Sequence, residues 1–590
     1  MLLLLAHASL SGLAAWGDAA TYDETAHLTA GAMHLRGDFR LNPEHPPLAK
    51  AIAALGLLPL AIPDLPADLP NWKRAHLYPD SGILVGYAYL YGRPQQVEAQ
   101  RALFAGRLPM LVLSLLLGLL LWGVARRLGG PVAGLIVVAL WAFEPTGLAH
   151  GHLVTNDVAM ALIGLVLALA AGGLARRPSW RGFAGFGVLA GVALLTKFTA
   201  IPWLIVLVGG LLLHAALLQV GVVTAPPAPA FDALSETSRE PGERRARPLL
   251  RTVGGVGLAM LIAWGLIWAG YGFRFAPTSD PTVRLPVAAI ARHAVDPALL
   301  DGLQPKLVGH SVAFAHAHAL LPEAFLFGLC YASNKSQQRR TYLLGEVRDR
   351  ADWRFFPLSL LTKLPLALLL LTALGLVQLG VALRGRHRWV VATIGLSASA
   401  LFVMATLGRL AIGIRHILPA VPALLLLAGA GWLFLQRRSR VFQALAAALL
   451  LWHAAAAVAN HPHHLAYFNE AAGGPEQGST WFVDSNLDWG QDLGRLGAWM
   501  RTHDVPWLNL AYFGTDEPRR HGVVGPRLDV GSPYPLRHDA VRRPGLLAIS
   551  ETARRGLELG PEGTARVRSW LLGAREIGHI GGSIRLYVLP

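Results

Sequence analysis

The chain has 590 residues, of which 53% are hydrophobic and only 15% are charged, whereas an ordinary soluble protein carries about a quarter charged residues. This composition argues against a water-soluble protein. The single cysteine, Cys330, excludes an intrachain disulfide framework and any multi-cysteine metal site. A formal net charge of +16 would suggest a nucleic-acid partner for a soluble protein. In a membrane protein such an excess lies in cytoplasmic loops, so we expect no nucleic-acid partner.

Long apolar blocks predict a polytopic α-helical membrane protein. A helix needs roughly 20 apolar residues to cross the hydrocarbon layer of a bilayer. By that measure the sequence predicts about eleven transmembrane helices, at residues 2–16, 103–124, 131–149, 153–174, 183–199, 201–220, 252–271, 356–383, 389–408, 412–435 and 441–459.

Arginine residues follow every second predicted span. They lie at 126–127, 176–181, 244–251, 384–388 and 437–440. Because Lys and Arg accumulate in cytoplasmic loops, we predict that these segments and the N-terminus are cytoplasmic and that the residues after 460 lie outside. An integral protein of a bacterial inner (cell) membrane fits this pattern. The first block is short, so a signal peptide ending near residues 18–20 is an alternative, although a signal peptide normally carries positive charge before its apolar core and this block has no basic flank.

The same pattern divides the chain into two predicted domains. Residues 1–460 form the membrane domain, with large outer-face loops at 17–102 and 272–355 and a cytoplasmic linker at 221–250. Residues 461–590 form a small C-terminal periplasmic or extracellular α/β domain, because short apolar runs there alternate with Gly, Pro and charge. In this tail we predict strands at Ser479–Asp484, Trp507–Tyr512 and Leu546–Ser550 and helices at Gln491–Thr502 and Gly563–Leu572.

Two adjacent acids, Asp23 and Glu24, directly follow the first apolar block. Near a membrane the low dielectric raises the pKa of a carboxyl group, which suits a general base. The alternative is a solvated pair beside the membrane.

A second polar cluster runs from His150 to Asp157. On a helix, His152 and Asn156 would share one face and His150 and Asp157 another. Asp157 lies in a segment that must enter the bilayer, where ionisable groups are rare and usually functional. The alternative is a helix cap.

Cations lie at the predicted outer ends of later spans, where the topological bias disfavours them. They are Lys197, Lys363, Arg409, Arg415 and His416. A lipid phosphate at the outer interface would use such residues, Arg by a bidentate contact and Lys as a point charge. The alternative for each is contact with ordinary lipid headgroups.

Several stretches together carry a resemblance to a known family. They are YDETAHLTAG (22–31), GDFRLNPEHPPLAK (37–50), HGHLVTNDVA (150–159), LLTKFTA (194–200), YLLGE (342–346), FFPLSLLTKLPL (355–366), GIRHILPAVP (413–422), YFNEAAGGPEQG (467–478) and DSNLDWGQDL (484–493). With them the chain resembles the GT-C superfamily, and within it glycosyltransferase family 39, which includes protein O-mannosyltransferases and lipid A aminoarabinose transferases. The tail does not resemble the domain inserted in eukaryotic O-mannosyltransferases.

The resemblance implies roles for individual residues. Asp23 matches the catalytic base, Glu24 its partner, and Asp157 the second acid, which helps to hold the acceptor site or a divalent metal. Lys50, Arg415 and His416 occupy positions suited to the phosphate of a lipid-linked sugar. The matching stretches also contain further candidates for substrate binding, namely His45, His152, Asn156, Lys197 and Lys363.

The implied activity is transfer of one sugar, with inversion, from a polyprenyl phosphate of the undecaprenyl or dolichyl type to a hydroxyl of a protein, lipid or glycan acceptor at the outer face. A divalent metal on Asp23 and Asp157 is the one cofactor that the resemblance raises, although no tight ligand spacing such as H-E-x-x-H occurs. Two other functions remain open, a lipid or sugar transporter and a non-catalytic envelope assembly protein. A transporter would place ionisable residues near the bilayer midplane, whereas here they cluster at span ends.

Overall fold

The computed structural model describes residues 1–60, 81–92, 96–223, 248–296, 300, 302–530 and 540–590. Residues 224–247, which make up most of the predicted linker at 221–250, lie outside the described residues, as do parts of both predicted outer loops. The described chain is mostly helical.

Among the described residues, ten helices precede the linker. They are α1 (Leu2–Gly17), α2 (Glu24–Leu35), α3 (Leu48–Ala54), α4 (Ser81–Tyr91), α5 (Gln96–Gly129), α6 (Pro131–Ala142), α7 (Pro145–His150), α8 (Asp157–Arg176), α9 (Trp180–Thr196) and α10 (Ala200–Gln219).

The next nine helices, with a short hairpin of strands among them, run from the linker to the tail. They are α11 (Pro248–Gly270), α12 (Val287–Val295), α13 (Leu303–Ala317), α14 (Glu323–Gln338), β1 (Thr341–Leu343), β2 (Glu346–Arg348), α15 (Phe355–Lys363), α16 (Leu366–Ala382), α17 (Arg388–Leu407), α18 (Val421–Gln436) and α19 (Arg440–Ala459). A 3-10 helix, Ile414–Ala420, leads directly into α18.

Each of the eleven predicted spans overlaps helix, although those at 131–149 and 356–383 are each divided between two helices. Within the described residues, seven helical segments are long and apolar enough to cross a membrane, or eight if the bent pair α15–α16 counts as one span. Helices α1, α6 and α9 are apolar but shorter. The predicted polytopic helical architecture is therefore confirmed, and the chain is an integral membrane protein. The exact number of eleven crossings stays a prediction. The seven segments are Ala99–Gly129, Asp157–Arg176, Ala200–Gln219, Pro248–Gly270, Arg388–Leu407, Ile414–Gln436 and Arg440–Ala459.

Helices α15 and α16 meet at an angle of 112°. Pro365 explains the break, because a proline disfavours helical backbone at the residue before it, and Leu364 is indeed extended. The carbonyl groups left free at the end of α15 are bonded by the tail. Asn469 Nδ2 donates to the carbonyl oxygens of Leu361 and Leu364, at 2.6 and 2.9 Å.

The tail forms a small α/β unit, as predicted. Its helices and strands are α20 (Gly474–Trp481), α21 (Leu493–Thr502), β3 (Asn509–Ala511), β4 (Gly545–Ser550), α22 (Glu551–Arg554), α23 (Pro561–Trp570), β5 (Arg575–Ile580) and β6 (Ile584–Leu589). The strand order is β3-β4-β6-β5, with β3 parallel to β4 and the other pairs antiparallel.

Side chains alternate between the two faces of this sheet, as the pleat requires. Ala548 packs towards α21, whereas Leu547 and Ile549 pack towards α23. The predictions of helices at α21 and α23 and of strands at β3 and β4 are confirmed within a few residues. The predicted strand Ser479–Asp484 is wrong, because its first three residues end helix α20, which begins at Gly474, directly after Gly473, and has Pro475 in its first turn.

The segment between α1 and α2 runs along the tail. Ala19 is fully buried in the tail core, and the amide of Ala19 donates to the Gln491 carbonyl at 2.9 Å. The Ala20 amide donates to Asp516 Oδ2 at 2.8 Å, and Thr515 Oγ1 donates to the Thr21 carbonyl at 3.0 Å. The tail therefore fixes the backbone that leads to Asp23.

Candidate active site

Asp23 lies at the start of α2, beside the tail. The preceding residue, Tyr22, donates its amide hydrogen to the carbonyl of Trp489 at 2.9 Å, so the main chain is fixed next to the acid. The Asp23 carboxylate makes no capping hydrogen bond to α2, and its side chain is 24% exposed. It is thus held in place and open to a substrate.

Arg415 brings the two predicted acids together, although 134 positions of sequence separate them. Its Nη1 atom lies 3.3 Å from Asp23 Oδ2 and 3.7 Å from Asp157 Oδ2. Lys197 Nζ donates to the other oxygen of Asp157 at 2.6 Å. Asp157, Lys197 and Arg415 are all buried. Two acids and two cations therefore form one charge-balanced cluster, in which Asp23 is the most exposed member.

Residues of the tail hold Arg415 in this position. Ser485 Oγ accepts a hydrogen bond from Arg415 Nε at 3.2 Å, and the guanidinium carbon lies 4.3 Å from the centre of the Trp489 ring. The amide of Ile414, just before the arginine, donates to Asn486 Oδ1 at 2.8 Å. The tail thus contributes side chains to the site itself.

Glu24 points away from this cluster and is fully buried. Both of its oxygens are bonded, to Arg107 at 2.5 and 2.9 Å, to the amide and hydroxyl of Thr21, and to the amide of Val154. Burial alone would raise the pKa of Glu24, but Arg107 and these donors hold it below its ordinary value. The carboxylate has five hydrogen bonds and no open side for a substrate.

Arg107 completes this buried pair. Besides Glu24, its guanidinium donates to the carbonyl oxygens of Ala15, Asp18 and Ala19. The pair therefore ties α5 to the segment that carries Asp23. The sequence signal for it is an arginine within the apolar run of α5, since charges at membrane depth are usually paired or functional.

Two of the candidate phosphate ligands bond to main-chain carbonyl groups. Lys50 Nζ donates to the carbonyls of Asn42 and His45, at 2.6 and 2.7 Å, and burial lowers the pKa of this lysine well below its usual value. Lys363 Nζ donates to the carbonyls of Leu465 and Asn486, at 2.9 and 2.6 Å. Both ammonium groups hold loops in place, and neither belongs to the cluster around Arg415.

The histidine and asparagine candidates occupy separate environments. Residues 151–156 are not helical, and α8 begins only at Asp157, so the prediction that His152 and Asn156 share a helix face is wrong. His152 bonds to Ser11 and lies 3.6 Å from Asp18. Asn156 Nδ2 instead donates to the Thr196 carbonyl at 2.6 Å. This last bond fixes the turn that presents Lys197 to Asp157.

His416 and His45 both lie near Arg415 and Lys197. His416 follows Arg415 directly, and its buried Nε2 has no hydrogen-bond partner in the described part of the chain. Asp157 Oδ2 has none either. The ring of His45 packs edge-on against His27, with centroids 5.4 Å apart. Orphaned polar atoms thus gather around the acid–arginine cluster, where a polar substrate would bond them.

A divalent metal on Asp23 and Asp157 does not fit the residues as they are arranged. The oxygens that would ligate it already contact Arg415 and Lys197. Over the described residues, no group of three or more His, Cys, Asp and Glu side chains is arranged to hold a metal ion.

One family model matches part of the chain. Residues 99–224 match the family described as dolichyl-phosphate-mannose-protein mannosyltransferase. The matched part covers about a fifth of the sequence and includes Arg107, Asp157 and Lys197. This match supports the resemblance to the GT-C superfamily over that part of the chain. No curated protein sequence matches the chain.

Several solved structures are similar at low sequence identity. ArnT from Cupriavidus metallidurans in the apo state is 13% identical, with a TM-score of 0.43, 99% of this chain and 97% of that chain covered. The same protein bound to undecaprenyl phosphate is 14% identical, with a TM-score of 0.41 and the same coverage. The apo oligosaccharyltransferase of Archaeoglobus fulgidus is 13% identical, with a TM-score of 0.40, 88% of this chain and 62% of that chain covered.

Proposed function

We propose that this GT-C protein transfers one hexosyl or pentosyl unit from a polyprenyl phosphate, of the undecaprenyl or dolichyl type, to a hydroxyl of a protein, lipid or glycan acceptor. One observation carries the proposal: the partly exposed Asp23 carboxylate lies 3.3 Å from the buried Arg415 guanidinium. A base beside a fixed cation is what attack by a hydroxyl and departure of a phosphate require. The matched family name, with its dolichyl-phosphate donor, supports the class of donor.

In the proposed reaction, Asp23 accepts the proton of the acceptor hydroxyl while that oxygen bonds to the anomeric carbon. The bond from the anomeric carbon to the phosphate oxygen breaks, and its electron pair stays on the phosphate. The donor phosphodiester carries one negative charge, and the departing polyprenyl phosphate gains a second. Arg415 therefore attracts the phosphate more strongly as the bond breaks, and such differential binding accelerates the chemical step. One displacement inverts the anomeric carbon.

The other candidate residues support this pair in the proposal. Lys197 neutralises Asp157, and both keep Arg415 near Asp23. His416 lies beside Arg415, where its unbonded Nε2 would meet the donor. Glu24, Lys50 and Lys363 hold the surrounding segments by the bonds described above.

We place the site at the outer face of a bacterial inner membrane, with the N-terminus in the cytoplasm, because the arginine-rich segments alternate along the chain. Residues 1–460 would form the membrane domain and residues 461–590 the outer domain. The tail side chains at Arg415 make the outer domain part of the site.

The test uses the purified full chain with a polyprenyl-phosphate sugar and measures release of polyprenyl phosphate. Asp23→Asn should lower turnover at least a hundredfold, because a general base contributes about 10²–10⁴-fold. The matched control is Asp38→Asn, an acid of the same loop that pairs with Arg40 and should keep parental turnover. Near-normal turnover by Asp23→Asn would refute the assignment. A transporter would move the lipid-linked sugar without breaking its bond to phosphate.

A further inference from the structure

Trp489 connects the two members of the Asp23–Arg415 pair. Its indole ring lies under the guanidinium of Arg415, 4.3 Å from the guanidinium carbon to the ring centre. Its carbonyl oxygen accepts a hydrogen bond from the amide of Tyr22, the residue before Asp23, at 2.9 Å. One residue of the tail therefore contacts Arg415 and the residue directly before Asp23.

The neighbours of Trp489 hold the indole itself in place. The side chain is 1% exposed and packs with Ala149, Leu153, Leu465 and Phe513. Its amide donates to the side chain of Gln491 at 2.9 Å. A ring buried in this way has no open face for a substrate, so any effect on the reaction must pass through Arg415 or through the segment at Asp23.

A guanidinium over an aromatic face is attracted by the ring quadrupole, and the attraction is stronger where water is excluded. In the described part of the chain, the ion pairs and hydrogen bonds of Arg415 are those of its nitrogen atoms with two carboxylates and one hydroxyl, and the indole supports the face of the group. Without the ring, the planar group would be free to tilt out of reach of Asp23. The indole therefore restricts the position of the cation relative to the acid.

We propose that Trp489 is a positioning residue that sets the separation of Arg415 and Asp23, through its ring on one side and its carbonyl on the other. The expected effect on kcat rests on the proposed function. The expected effect on the position of Arg415 can be measured without any turnover. The tail segment 484–491, which carries part of the family resemblance, thereby has a role in the site.

The experiment compares three variants of the full chain. Trp489→Leu removes the aromatic face, and Trp489→Phe keeps an aromatic face in the same place. The matched control is Trp570→Leu, a tryptophan that is 3% exposed in the tail core beside α23 and the sheet, where it contacts none of the site residues. Thermal unfolding of each variant measures the general cost of losing a buried tryptophan.

The first readout is the rate at which phenylglyoxal modifies Arg415, followed by peptide mass spectrometry. We expect at least a fivefold faster modification in Trp489→Leu, a rate near the parent in Trp489→Phe, and the parental rate in Trp570→Leu. A parental rate in Trp489→Leu would overturn the proposal, whether or not the chain shows transferase activity.

The second readout is transfer kinetics. Trp489→Leu should lower kcat at least tenfold, Trp489→Phe should recover most of the loss, and Trp570→Leu should keep kcat per folded molecule. Arg415→Lys should also cost less in the Trp489→Leu background than in the parent, because the arginine is no longer positioned there. Equal costs in the two backgrounds would overturn the proposal, whereas a parent without turnover that still shows the modification pattern would overturn only the proposed function.

Discussion

Replacing Glu24 with glutamine should destabilise the fold, whereas replacing its neighbour Asp23 with asparagine should abolish transfer in a folded protein. Glu24 and Arg107 form an ion pair in which both side chains are 0% exposed. In the glutamine variant, an N–H₂ group replaces one carboxylate oxygen, so a donor faces the donors of Arg107 or Thr21. The arginine then keeps a buried charge with only carbonyl partners.

The expected size of the effect follows from this geometry. Removing one partner of a buried ion pair costs about 3–5 kcal/mol, because it leaves an uncompensated charge. Asp23 is partly exposed and makes one contact with Arg415 at 3.3 Å, so Asp23→Asn should change the free energy of unfolding by about 1 kcal/mol or less. Substitutions of the two adjacent acids are thus predicted to impair the protein in different ways. Glu24→Gln lowers the stability of the fold, and Asp23→Asn removes transfer.

The assay measures thermal unfolding in detergent and turnover per folded molecule for both variants. Glu24→Gln should unfold at a clearly lower temperature while its folded fraction keeps substantial turnover, and Asp23→Asn should unfold like the parent without turnover. The double variant Glu24→Gln with Arg107→Met should lose less stability than the sum of the single variants, because it leaves neither charge unpaired. Parental stability with lost turnover in Glu24→Gln would refute the structural role of this pair.

Three further outcomes are expected. Arg415→Lys keeps the charge but loses the planar fork, so turnover should fall at least tenfold when the rate is measured against donor concentration, and parental kinetics would contradict a phosphate role. Burial raises the pKa of Asp488 to about 8, so the folded state keeps a proton that the unfolded state releases near pH 4. Stability should therefore fall as the pH rises from about 4 to 8, by at most about 1.4 kcal/mol per pH unit, and Asp488→Asn should unfold at a higher temperature than the parent at pH 8 but not at pH 4. A cysteine at position 386 in a Cys330→Ala background should resist an impermeant thiol reagent added to intact cells, and its labelling would reverse the proposed orientation.

The apolar content of the sequence predicted the positions of the helices well, but it did not predict where the helices break. Residues 131–156 contain a nearly continuous apolar run, yet the helix stops at Ala142, resumes at Pro145, and stops again at His150 before α8. Glu144 explains the restart, because its side chain accepts hydrogen bonds from the amides of Thr146 and Gly147. This cap depends on the side-chain conformation of Glu144, which a hydropathy pattern does not encode.

The sequence also indicated the residues of the site singly, but not their arrangement. Asp157 and Arg415 each run against the charge pattern expected of a membrane protein, and Asp23 was a candidate because the low dielectric beside a membrane raises the pKa of a carboxyl group. Their meeting depends on contacts across 392 positions of sequence between Asp23 and Arg415, which no local pattern encodes. The contribution of Ser485 and Trp489 is of the same kind, since neither residue is unusual in a loop of an α/β unit.

The three lysine candidates show most clearly why charge and sequence position alone could not predict which cation lies in the site. Lys197 and Lys363 were predicted from their positions at the ends of apolar segments and Lys50 from the family resemblance, and nothing in the sequence ranked one of the three above the others. In the structure Lys197 meets a carboxylate at 2.6 Å, whereas the other two meet pairs of main-chain carbonyl groups. Carbonyl groups become available where helices end and loops turn, so the partner of a lysine depends on the path of a distant segment. That path is set by the packing of α15 against the tail and of α2 against α3, and it decides which cation remains in the site.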